Sequence, residues 1–147
     1  MNRLLKFVGG FALAAALVPA AASADDKDVI EYRQHIMKAL NEQGASLGMV
    51  MSYAVPDDNT VAHFQAIALM AKTALEAFEP NIQGGESKPE VWKQWPDFSK
   101  RMKEFVQNSE MVAKLGAAQG KEVAMNHVLD ALPCKACHDI YRDEPKQ

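Results

Sequence analysis

Near the end of the chain, the run Leu132-Pro133-Cys134-Lys135-Ala136-Cys137-His138-Asp139 brings both cysteines of the protein together with an imidazole. Three chemistries use such a set. A Cys-x-x-Cys pair can be a redox dithiol, two thiolates can be half of a tetrahedral zinc site, and Cys-x-x-Cys-His is the attachment sequence of a c-type haem. On a helix, Cys134 lies three residues from Cys137 and four from His138, so all three side chains share one face. Two thioethers could hold a planar macrocycle there while the imidazole reaches its iron from one side. Zinc is the weaker reading, because it needs four ligands and the chain has neither a second Cys pair nor a His-x-x-x-His cluster. A thioredoxin-like dithiol belongs to a strand–helix junction, and no stretch shows the alternation of a strand. The motif therefore points to covalent haem, with a Cys-x-x-Cys thiol oxidoreductase as a distant alternative.

The other end of the chain bears on compartment. Asn2 to Lys6 carries two positive charges, Phe7 to Val18 is apolar and alanine-rich, and Ala22-Ser23-Ala24 supplies small residues for cleavage. This is the three-part layout of a secretory signal peptide, with an apolar run too short to favour a permanent membrane span. Residues 1–24 are thus expected to be removed after Ala24, leaving residues 25–147 as one periplasmic domain. Loss of Arg3 and Lys6 takes the formal charge from −3 to −5. That acidity argues against nucleic acid as a partner. In an oxidising compartment two cysteines would ordinarily pair. A Cys134–Cys137 bridge, however, closes so small a loop that it constrains the unfolded chain little.

Four stretches of helical periodicity must position the motif, with Gly and Pro concentrated between them. Val29, Tyr32, Ile36, Leu40, Leu47 and Met51 mark a buried face on the first, with Arg33, Met37 and Gly44 beside it. Val61, Phe64, Ile67, Ala71, Leu75 and Phe78 mark the second, which Asp58 or Asn59 can cap. Glu79 to Pro96 reads as one long loop whose most flexible point is Gly84-Gly85. A third helix begins near Asp97 and buries Phe98, Met102, Phe105 and Val112. A fourth runs from Lys121 into the motif. The fold expected is all-α, an antiparallel four-helix bundle with up-down-up-down topology.

Three segments together resemble the class II c-type cytochromes, the family of cytochrome c′ and its low-spin relatives: YRQHIM (32–37), GGESKPEVW (84–92) and CKACHDIYR (134–142). The likeness covers essentially the whole of residues 25–147. It implies a four-helix bundle with one covalently bound haem c near its C-terminal end. By the same likeness Cys134 and Cys137 are the thioether cysteines and His138 is the proximal iron ligand. Arg33 and Gln34 line the haem edge, where a guanidinium can meet a propionate. Glu86 is a polar loop position near the haem, and Arg142 a basic position beside its proximal face. Pro133 departs from the pattern, since a proline inside a helix removes a hydrogen bond and kinks it.

Met37 matches the family position that faces the iron from the distal side. In low-spin members a methionine there binds the metal; in cytochrome c′ the side chain covers the iron without binding it. The former is expected here: an electron carrier with His/Met ligation, unidentified redox partner proteins and no enzymatic role. The alternative is a high-spin cytochrome c′ that binds NO or CO at an open sixth site. His35, His63 and His127 are expected at the surface or between helices. Gly44, Ala45, Gly48 and Met49 leave the first helix smooth, which suits either close internal packing or a homodimer.

Overall fold

Asp25 starts the first helix by accepting the backbone N–H of Lys27 at 3.1 Å, and Asp26 and Asp28 add negative charge where the helix dipole favours it. The computed structural model describes residues 25–144. The expected export segment, residues 1–24, and its cleavage point lie outside them. Helix α1 (Asp26–Met51) buries Arg33, Leu47 and Val50, with Ile36, Met37 and Leu40 partly covered. The buried stripe is thus turned from the one expected: Tyr32 is 55% exposed and Met51 also faces solvent. The reason is Arg33, which enters the core and carries its own face of the helix inward.

Helix α2 (Thr60–Phe78) buries Phe64, Ile67, Ala71, Ala74 and Phe78 at three- and four-residue steps. The segment after it, expected to be one loop to Pro96, contains a single helical turn, α3 (Glu90–Lys93), and passes directly into α4 (Trp95–Gln119). Pro96 sits in the first turn of α4, where its missing N–H costs nothing. Gly120, at φ 97°, ends that helix in a conformation other residues avoid.

The fourth helical position is filled by three short pieces rather than one helix: α5 (Lys121–Met125), α6 (Val128–Ala131) and α7 (Cys134–Tyr141). The second break has a clear cause. Pro133 bars its neighbour from the helical region, and Leu132 sits at φ −116°, ψ 69°. No proline or glycine accounts for the first break, at Asn126-His127.

The bundle has two apolar centres. Leu47, Phe64, Ile67, Val112 and Val128 form one. Phe78, Val91, Phe98, Met102 and Tyr141 form the other, at the end where α7 lies. Among the described residues there is no strand, and no helix is long and apolar enough to cross a membrane.

Candidate functional site

The segment 80–89 is not slack. Arg33, 1% exposed, donates from Nη1 to the carbonyl of Ile82 and from Nη2 to that of Gly84, both at 3.0 Å. Its guanidinium lies over the rings of Phe78 and Trp92, at 5.0 and 4.9 Å from their centroids. Burial pulls its pKa below the usual value, and the carbonyls and ring faces take the place of the lost water. Gly84 and Gly85 have φ of 138° and 67°, and a side chain on either would press into Ile30 or Gln34 of α1. The two glycines therefore fix a tight approach of the loop to α1, where flexibility was expected.

Beyond the glycines the chain folds onto the end of α7. The N–H of Lys88 donates to the carbonyl of Tyr141 at 2.9 Å, and the N–H of Asp143 to that of Glu86 at 2.8 Å. Arg142 adds an ion pair, with Nε and Nη2 at 2.8 and 2.7 Å from Glu86 Oε2. The two expected polar positions Glu86 and Arg142 are thus brought together, half-exposed, beside His138.

Between this latch, α1 and α4 lies a cavity of about 370 Å³. Phe78, Val91, Phe98, Met37 and Met102 form its apolar walls. Arg33, Gln34, Glu86 and Arg142 bring polar groups to it, and Cys137 and His138 face it from α7. Of the expected site residues only Cys134 is not in the lining; it begins α7 just after the proline break and is exposed. Desolvation pushes both thiols up, which is the opposite of an activated redox thiolate. Desolvation, then repulsion from Arg142, lowers the pKa of His138, favouring the neutral imidazole that can bind a metal. Among the described residues no group of three His, Cys, Asp or Glu gathers as a metal cluster would require.

The other histidines stand apart. His63 Nδ1 pairs with Gln43 Oε1 at 2.8 Å between α2 and α1, His35 lies 3.6 Å from Glu31, and His127 is exposed. Phe98, Val91, Met102 and Tyr141 carry no mark of a site in the sequence, because a cavity wall and an ordinary core have the same apolar periodicity.

An apolar cavity flanked by cationic groups, with a thiol and a neutral imidazole on one wall, suits a planar, apolar macrocycle that bears carboxylates and an iron. A helical bundle with this site is a c-type haem protein. Residues 28–142 match the family model described as Cytochrome C'. The cytochrome c′ of Alcaligenes xylosoxydans xylosoxydans is 27% identical over 127 residues, covering 81% of this chain and 96% of that protein. The structure of ferric cytochrome c′ from Alcaligenes xylosoxidans superposes with a TM-score of 0.74 at 24% identity, covering 83% of this chain and 98% of that one. A single-residue variant of the latter, in complex with nitric oxide, gives a TM-score of 0.69 at 25% identity, over 82% and 98% of the two chains. The chain belongs to the cytochrome c′ family, and its cofactor is one covalently attached haem c.

Proposed function

We propose that this protein is a periplasmic haem c protein that binds a diatomic gas, NO or CO, at the sixth position of its iron. Cys134 and Cys137 would form the thioethers and His138 would ligate the iron. Bound there, the haem supplies an iron centre that accepts a small π-acid ligand or an electron. The chain's own residues decide which. His138 offers a neutral imidazole from α7, with the ion pair of Arg142 and Glu86 beside it. Phe78, Phe98 and Met102 keep the cavity apolar, which excludes charged ligands in favour of neutral diatomics. Arg33 and Gln34 stand at the haem edge, and Arg33 still has N–H donors beyond the two spent on carbonyls. Met37 covers the distal side.

The observation that carries this reading is the likeness over nearly the whole chain to a cytochrome c′ whose variant holds nitric oxide, joined to the apolar cavity in front of Met37. The electron-transfer reading stands second. It is favoured by the Met37 thioether on the cavity wall, where a sulfur could serve as sixth ligand. Self-association through α1 belongs to the same proposal: a side chain on Gly44 or Gly48 would meet nothing within 4 Å, so this smooth stripe serves no internal packing.

Titrating the ferrous protein with carbon monoxide tests the proposal. Saturable binding without prior loss of a ligand is expected, and Met37→Ala should speed entry of the gas. A wild-type protein that refuses CO, while Met37→Ala accepts it, would transfer the assignment to His/Met electron transfer.

A further inference from the structure

Helix α7 carries all three residues of the attachment motif, yet only one of its eight residues is buried, and that is Tyr141. At its N-terminal end α7 is uncoupled from α6 by Leu132 and Pro133, whose backbone angles (φ −116°, ψ 69° and φ −78°, ψ 42°) leave the helical path. A short helix hinged at one end takes its tilt from whatever fixes the other. Here that is Tyr141, 3% exposed, whose ring stands edge-on to Phe98 at 5.2 Å and 85°. Its hydroxyl donates to Asp97 Oδ2 at 2.6 Å, and the same oxygen accepts Arg101 Nε at 2.6 Å. Asp97 belongs to the first turn of α4, where the helix dipole also favours its charge.

We infer that the Tyr141–Asp97 hydrogen bond, braced by Arg101, is the positioning device that sets the tilt of α7 and hence the angle at which His138 meets the iron. The inference rests on the proposed role of His138. Tyr141 follows His138 by three residues and Cys137 by four, so the three lie on one face and turn together. Edge-on aromatic packing alone leaves the phenol free to slide in an apolar slot. A short hydrogen bond to a carboxylate fixes both its depth and its direction. The backbone bonds from Lys88 to Tyr141 and from Asp143 to Glu86, with the Arg142–Glu86 ion pair, hold the same end of α7 from the loop side, whereas the phenol bond is the one that ties it to α4.

The test uses the holoprotein. Tyr141→Phe keeps the packed ring and removes only the hydroxyl, while Asp97→Ala removes the acceptor from a half-exposed position and avoids any disturbance of the core. Both variants should retain covalent haem, shown by the mass of the denatured chain. Both should shift or broaden the iron–imidazole stretching band in the resonance Raman spectrum of the ferrous form, and both should move the midpoint potential. The double variant should be no worse than either single one. Asp97→Asn, which still offers an oxygen to the phenol, should restore most of the wild-type band, and Arg101→Ala should have a smaller effect. Covalent haem with the wild-type band and potential in Tyr141→Phe or Asp97→Ala, whatever the loss in thermal midpoint, overturns the inference. A wild-type chain without covalent haem overturns the attachment assignment first and this inference with it.

Discussion

Arg33 shows how much one side chain organises. Its two bonds to the carbonyls of Ile82 and Gly84 join α1 to the segment that latches α7. Hydrogen bonds to a charged donor contribute about 1.5–3 kcal/mol each. Arg33→Met should therefore cost about 3–6 kcal/mol in denaturant unfolding and speed amide exchange across residues 82–88. Unchanged exchange there would show that the loop is held by something else. At the motif, Cys134→Ala or Cys137→Ala should weaken covalent retention, and the double variant should release its haem to acidic organic solvent; haem that stays bound contradicts the thioether assignment. The motif was legible because its chemistry lies within five consecutive residues. The family resemblance drew attention to Arg33, but its burial was not legible, since nothing local tells a solvated arginine from one seated against two aromatic rings. The Tyr141–Asp97 bond spans 44 positions, and no periodicity announces such a pair.

Helices α1, α2 and α4 follow from apolar steps of three and four residues, and the kink expected at Pro133 is the break between α6 and α7. The break at Asn126-His127 and the turn of α3 were not foreseen: no proline or glycine marks the first, and the second is a single turn inside a Gly- and Pro-rich segment that reads as loop. Gly84-Gly85 is instructive in the other direction: a glycine pair reads as slack, yet here positive φ and the nearness of Ile30 and Gln34 require it. The tie of α7 to α4 has a pH signature. Desolvation and the bond to Asp97 push the Tyr141 phenol up from 10.0 to about 12. Its protonated form is thus the one the fold favours, so this stabilisation is complete below pH 10 and is lost as pH rises towards about 12. An ultraviolet titration of the wild-type protein minus Tyr141→Phe should show this phenol ionising near pH 12; ionisation near 10 would mean that its hydroxyl meets water.

Across the whole molecule the two ends of the bundle are filled differently. Around Phe64, Ile67 and Val128 the packing leaves a void of only about 10 Å³, whereas the end bearing α7 encloses about 370 Å³. A cavity of that size weakens the fold until a ligand supplies the missing contacts. Chain produced without haem should melt at a lower temperature than the holoprotein and lose amide protection first in α7 and residues 82–88. Equal thermal midpoints would contradict this. Sedimentation equilibrium should find a dimer that Gly48→Glu, at an open face of α1, converts to monomer. The central claim is that the haem is held from one side by His138 and left open under Met37. The absorption spectrum of the ferric wild-type protein at neutral pH tests it most directly. A five-coordinate, high-spin spectrum is the result predicted; a low-spin spectrum with a sulfur-to-iron band in the near infrared would show Met37 on the iron and contradict it.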